Sequence, residues 1–246
     1  MTSETVNSNP SPARRQKPRA EIVRNGSAAG PETSRQQRRF LARKSAILDA
    51  ALSLFSQSGL RGVSAEQIAE AADVSKTNLF YYFSSKEEIY VGVLKRLLSD
   101  WLAPLDALDP QADPIQAIGD YVRLKMEMSR ADPHSSRLFC LEIVQGAPMI
   151  GDELRTSLKT LVDRKAAVIR RWSEDGKIAP VDPHHLIYAI WAMTQHYADF
   201  SAQIAAVSGR TLDDELFFRE ATENVLRVIL GALSTDAGAK SPQGAA

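Results

Sequence analysis

The stretch from Ser64 to Phe83, SAEQIAEAADVSKTNLFYYF, constrains the fold of this chain more than any other. It compresses two short helices and a tight turn into a single unit. Ser64 is an N-cap residue, and Gln67 three positions on can close a capping box. Ile68, Ala69 and Ala72 then supply an apolar face, Asp73 and Val74 interrupt the period, and Ser75 caps a second helix. That second helix carries Lys76, Thr77, Asn78, Tyr81 and Tyr82. These are short polar groups, one cation and two phenols, suited to phosphates and base edges in a major groove. Leu79 and Phe83 face the other way and can hold the helix to its domain. The pattern predicts a helix-turn-helix, with Ser64, Lys76, Thr77, Asn78, Tyr81 and Tyr82 as the DNA-contacting set. A plain helical hairpin with no nucleic-acid role is the blander reading of the same pattern.

From Ala71 to Phe83 (AADVSKTNLFYYF), followed by Ser85-Lys86-Glu87, the chain resembles the DNA-binding signature of the TetR family of dimeric repressors. The resemblance implies an all-α fold, with an N-terminal three-helix DNA-binding domain and a larger helical ligand-binding and dimerisation domain. It also implies three partners: double-stranded operator DNA, a second copy of the chain, and a small-molecule effector. One departure is Asp73, where the family usually has the glycine of a left-handed turn. Aspartate tolerates that conformation better than most side chains, so the departure weakens the match little. Lys86, which opens the next helix, is expected at a phosphate.

The formal net charge of zero argues at first against a nucleic-acid partner. Its distribution argues the other way. Residues 1–44 hold ten Lys and Arg against three Glu, so the remainder of the chain is net acidic. Residues 1–36, rich in Pro, Ser, Gly and Asn, read as a disordered basic tail that adds phosphate attraction. With 246 residues, 44% of them apolar, the rest can build a sizeable core. A single cysteine, Cys140, excludes an internal disulfide and fits a reducing compartment. No apolar run approaches a membrane span, so a cytoplasmic chain with no membrane partner is expected.

The expected order is a DNA-binding domain over 37–84, a ligand-binding and dimerisation domain over 85–233, and a C-terminal tail over 234–246. Helix 1 is predicted from about Gln36 to Ser58 on the stripe Ile47, Leu48, Ala51, Leu54 and Phe55. Ser84 or Ser85 caps the fourth helix, which runs to Pro104. Further helices are expected over Ile115–Arg130, Pro133–Gln145, Pro148–Asp175, Pro183–Ala206 and Thr211–Leu233, with no period-two alternation anywhere. The last two helices have enough apolar surface for both a monomer core and a dimer seam.

The C-terminal half is similar, in particular, to a uracil-sensing member of the TetR family. The similarity rests on DWLAPL (100–105), SRLFC (136–140), GAP (146–148) and WAMTQHYADF (191–200). It implies uracil or a similar pyrimidine base as effector. The residues themselves agree with this. Gln195 is the only Gln in the interior of its apolar helix, away from the ends, and a carboxamide matches the acceptor–donor edge of an imide ring. Trp191 lies one turn earlier on the same face, where an indole can wall a flat ring. Trp101 is expected to close the pocket from the side leading to the DNA-binding domain, and Phe139 to line it. Ordinary core tryptophans and a satisfied buried Gln would leave the same pattern. His184, His185, His196 and Cys140 lack the spacing of a zinc site, no cofactor is expected, and no residue set suggests an enzyme. A repressor answering a different small aromatic or amphipathic compound is the nearest alternative.

Overall fold

The computed structural model describes residues 31–235, with side chains from residue 34 onward, so most of the expected basic tail and C-terminal tail lie outside the described residues. All regular structure among the described residues is helical: α1 (Pro31–Ser58), α2 (Ala65–Ala71), α3 (Lys76–Tyr82), α4 (Lys86–Asp106), α5 (Pro114–Ala131) and α6 (Pro133–Val144). A short α7 (Gly151–Glu153) runs through a π-turn (Leu154–Leu158) into α8 (Lys159–Glu174). It is followed by α9 (Pro183–Asp199), α10 (Ser201–Ser208) and α11 (Glu215–Leu233). Phe40 closes one unit and Leu41 opens the other. In the first, Arg38 Nε donates to the Ser34 carbonyl at 3.3 Å.

Local chemistry sets the helix starts. Ser64, Ser75 and Ser85 each accept, through the side chain, the backbone N–H three residues on. Gln67 closes the box at α2, its Oε1 accepting the Ser64 N–H at 2.8 Å. At α4 the two expected serines have different roles. Ser85 is the cap, while Glu88 accepts both the backbone N–H and the hydroxyl of Ser84 at 2.6 Å. Three later helices begin on an Asp-Pro pair, Asp113-Pro114, Asp132-Pro133 and Asp182-Pro183. There the aspartate caps, and the proline presets φ where no N–H is needed.

Several boundaries differ from the predicted ones. α1 begins at Pro31 instead of near Gln36, a proline in the first turn costing the helix no hydrogen bond. α11 opens at Glu215 under an Asp214 cap, because the Thr211 hydroxyl is engaged with Asp213. The helix expected over Pro183–Ala206 breaks at Phe200. There Arg137 of α6 takes the Ala198 carbonyl (3.3 Å) and the Ser201 hydroxyl (3.0 Å), so the last turn of α9 is tied across to α6.

Two apolar clusters hold the described chain from Leu41 onward. One combines Ile47, Ala51 and Phe55 of α1, Ile68 and Leu79 of the helix-turn-helix, Ile89 to Leu98 of α4, and Leu138 and Phe139 of α6. Packing is therefore continuous across residues 84–85, where the domain division was expected. The other cluster gathers α5, α8, α9 and α11 around the fully buried Trp172, whose indole N–H donates to the Pro110 carbonyl at 3.0 Å. The α4 helix joins both clusters, Leu97 and Leu98 lying in the first and Leu105 in the second.

Asp73 takes the left-handed conformation that the turn between α2 and α3 requires, with φ of 52°. A Cβ there is mildly strained. Asp73→Gly is expected to raise stability by roughly 0.5–1 kcal/mol, read as a higher urea midpoint at an unchanged slope.

Candidate functional site

The recognition segment is built as its sequence suggests. Leu79 is fully buried and Phe83 nearly so, which pins one face of α3, while Lys76, Thr77, Asn78 and Tyr81 are exposed. Tyr81 and Tyr82 meet edge-on with ring centroids 5.2 Å apart. Lys76 pairs with Glu66 of α2, and this hydrogen bond holds the Glu66 carboxyl below its usual range. Ser64 accepts the Gln67 N–H at 3.2 Å, which makes it the cap of α2. Lys86 stands differently from its expected place at a phosphate. Its ammonium donates to the Leu60 and Val63 carbonyls, both at 2.8 Å, and so fastens the start of α4 to the loop after α1. One of its three donors is left over.

The second feature is a cavity of about 440 Å³ between α6, the π-turn and α9, within the range of small-molecule pockets. Phe139, Trp191 and Gln195 all line it, so three of the four residues singled out for a ligand meet at one place. Trp191 is fixed by its indole N–H, which donates to the Tyr121 hydroxyl at 2.7 Å. Burial raises the Tyr121 phenol, so it stays protonated. The Gln195 carboxamide has no hydrogen-bond partner among the described residues. Trp101 is the exception among the four: it stands one layer back, edge-on to Phe139 at 5.3 Å, and does not line the cavity.

Sequence reasoning missed two charged neighbours. Asp199 lines the cavity and accepts the Ser136 hydroxyl at 2.5 Å. Burial raises its carboxyl, while Ser136, Cys140, Lys125 and Arg137 pull it down. Lys125 of α5 is 3% exposed, and its ammonium lies 5.4 Å from the centre of the Trp101 ring. Burial brings its pKa down to about 8, opposed by the charge of Asp199. A signal for Lys125 was present, because it interrupts the apolar stripe Ile118, Tyr121, Val122, Met126 of α5. Asp199 had none, since the end of α9 was expected to be mid-helix.

A buried carboxylate joins the pocket wall to α4. Glu142 of α6 accepts the Met149 N–H at 2.6 Å through one oxygen and the Tyr90 hydroxyl at 3.4 Å through the other. Burial, reinforced by the Glu142 charge, pushes the Tyr90 phenol up to about 12. Tyr90 in turn packs edge-on against Phe55 of α1 at 5.2 Å. A chain of contacts therefore runs from α6 through α4 to the helix that supports the helix-turn-helix.

Fold and motif together define an all-helical, helix-turn-helix DNA-binding regulator. Residues 47–93 match the family of bacterial regulatory proteins named tetR, and residues 94–236 match the C-terminal region of YcdC-like proteins. The chain is 54% identical over 198 residues to the HTH-type transcriptional regulator RutR of Escherichia coli (strain K12), spanning 80% of this chain and 93% of that protein. It is 28% identical over 151 residues to the HTH-type transcriptional regulator TcmR of Streptomyces glaucescens, spanning 59% of this chain and 61% of TcmR. Among solved structures, SCO4942 from Streptomyces coelicolor superposes with a TM-score of 0.61 at 22% identity, covering 77% of this chain and 97% of that one. AibR, solved with isovaleryl coenzyme A and operator DNA, gives 0.58 at 18% identity, covering 76% and 97%. The chain belongs to the TetR family and is a transcriptional regulator. Among the described residues no helix is long and apolar enough to cross a membrane, and no group of His, Cys, Asp and Glu is placed to hold a metal.

Lys125 carries a stability consequence. Its folded pKa lies below that of a free lysine, so between about pH 8 and the ordinary lysine value of 10.5 the unfolded chain binds more protons. Its contribution therefore becomes less unfavourable as pH rises through that window. Lys125→Met is expected to raise stability at pH 7 by on the order of 2–3 kcal/mol, read as a higher melting temperature, with the gain shrinking by pH 10. Thermal melts of both proteins at the two pH values check this.

Proposed function

We propose that the chain is a dimeric repressor that grips a palindromic operator with α3 of each copy and lets go when uracil or a closely related pyrimidine enters the α6–α9 cavity, thereby controlling pyrimidine catabolism. The observation that carries the effector half is the Gln195 carboxamide, which borders a cavity walled by Phe139 and Trp191 and has no hydrogen-bond partner among the described residues. An amide placed so offers one donor and one acceptor side by side, the complement of an imide edge, while the aromatic rings supply flat apolar walls. The similarity of residues 100–105, 136–140 and 191–200 to a uracil-sensing member of the family supports the same choice.

For the DNA half, Thr77, Asn78, Tyr81 and Tyr82 are the base-edge and phosphate contacts, with Ser64 offering a further phosphate contact at the start of α2. Lys76 exchanges Glu66 for a phosphate, and the remaining donor of Lys86 can reach another. A helix of this length makes few base contacts, so two copies are needed for affinity. The exposed Tyr188 of α9 and Leu216 and Val228 of α11 suit a seam between the copies. Transmission runs along α4: Lys86 at its start is fastened beside the helix-turn-helix, and Trp101, about 22 Å further along the helix, packs behind Phe139 of the cavity wall. Ligand binding at Phe139 shifts α6, and the Glu142–Tyr90 contact passes that shift to α4. The effector must bind the DNA-incompetent arrangement more tightly for any release to follow.

The test begins with a duplex selected from a random pool by the full chain, whose affinity is then measured by fluorescence anisotropy with and without saturating uracil. Operator affinity is expected to fall by at least about 10-fold, and an unchanged affinity would remove uracil as inducer. In that case calorimetry against other small aromatic compounds addresses the alternative effector. Gln195→Leu should retain the operator and bind uracil at least about 10-fold more weakly by calorimetry.

A further inference from the structure

Lys125 is a feature of this region that the fold does not explain. The chain shows how it treats other lysines drawn away from solvent. The buried Lys165 donates to the Asp106 carbonyl at 2.6 Å and the Leu108 carbonyl at 3.0 Å, and Lys86 donates to two carbonyls as well. Each is a staple between elements. Lys125 is 3% exposed as a residue, and its ammonium has no hydrogen-bond partner among the described residues; the little accessible surface it keeps is at that end, since no fully buried side-chain nitrogen or oxygen among the described residues is left unpartnered. Holding an ammonium there without acceptors is costly, and a methionine or leucine would fill the same space without the cost.

Lys125 does not itself line the cavity, but it stands just behind the lining residues. Tyr121 and Trp191 are joined by a hydrogen bond, and further along the same two helices Ser129 and Arg130 lie beside Tyr197 and Ala198. Progress along α5 thus matches progress along α9. One turn beyond Tyr121 is Lys125, and one turn beyond Trp191 is Gln195, so the two fall at the same level of the helix pair. Asp199 lies a further turn on and acts electrostatically on Lys125. The Trp101 ring flanks the ammonium, and its other neighbour is Phe139, the aromatic wall of the cavity.

We propose that Lys125 is an effector-recognition residue, its ammonium donating to a ring carbonyl oxygen of a planar lactam or imide whose other polar edge pairs with the Gln195 carboxamide. This rests on the reading of the cavity as a pyrimidine site and deepens it to a rule of selectivity. An oxo group is accepted at the Lys125 end of the ring. An exocyclic amino group is refused there, because two donors would face each other. A ring bearing a carboxylate is disfavoured by the Asp199 carboxylate at the cavity wall.

The experiment is calorimetry on the full chain, wild type and Lys125→Met, with uracil, 2-thiouracil and 4-thiouracil. Sulfur is a poor acceptor, so the wild type should prefer uracil over the analogue whose sulfur replaces the oxygen facing Lys125. Lys125→Met should bind uracil at least about 10-fold more weakly and lose that preference. A melting temperature no lower than wild type establishes that the variant is folded. Unchanged uracil affinity in the variant overturns the proposal. So does a weakening that is equal for all three bases with the preference intact, because that is the signature of a structural role. Wild-type protein that binds none of the three sinks the pyrimidine reading itself, and the selectivity rule with it.

Discussion

One apolar core reaches from the helix-turn-helix to the wall of the α6–α9 cavity, and the behaviour of the molecule depends on that continuity. Ile68 and Leu79 of the DNA-reading pair, Val93 and Leu94 of α4, and Leu138 and Phe139 of α6 belong to a single buried cluster. Close-packed interiors do not deform smoothly, so a displacement of Phe139 must be met by a rearrangement of its neighbours and cannot simply be absorbed locally. A regulator with two independently packed domains would need a separate device to carry a signal. Here the packing that stabilises the DNA-reading helices is also the packing that a ligand at Phe139 would disturb.

Polar contacts give this apolar connection direction. Glu142 fixes the turn after α6 through the Met149 N–H and reaches Tyr90 of α4, which rests on Phe55 of α1. Arg137 and Ser136, on the same helix as Phe139, hold the end of α9 through Ala198 and Asp199. The α6 helix is thus tied on one side to the helix carrying Trp191 and Gln195 and on the other to the helix that begins at the DNA-reading pair. Lys86 fastens the start of α4 to the Leu60 and Val63 carbonyls, and Lys165 of α8 donates to the Asp106 and Leu108 carbonyls at its end, so both ends of α4 are tied to neighbouring segments.

Much of this was legible in the sequence because it is written locally. The Ser64–Gln67 box, the Ser75 cap and the apolar spacing of Ile68, Leu79 and Phe83 are short-range features, and the helix-turn-helix follows from them. The three Asp-Pro helix starts are legible for the same reason. Contacts between distant elements were not. Nothing near Arg137 in the chain announces that it takes the Ala198 carbonyl and ends α9, and nothing near Lys86 announces the Leu60 and Val63 carbonyls. Trp101 shows the limit most plainly: its helix was placed correctly, but packing set its ring behind Phe139 instead of at the cavity surface. Lys125 was visible as an irregularity in an apolar stripe, and only its lack of acceptors in three dimensions made it informative.

The central claim is that occupancy of the α6–α9 cavity and occupancy of DNA are energetically coupled through this shared core. Linkage makes the claim symmetrical: uracil must be bound less tightly by the operator-bound protein, by the same factor as the operator is bound less tightly in the presence of uracil. The direct measurement is the uracil dissociation constant of the free chain and of its complex with a selected operator duplex, at one salt concentration. The account predicts a weaker constant in the complex, by about 5- to 150-fold. Equal constants in the two states would contradict it.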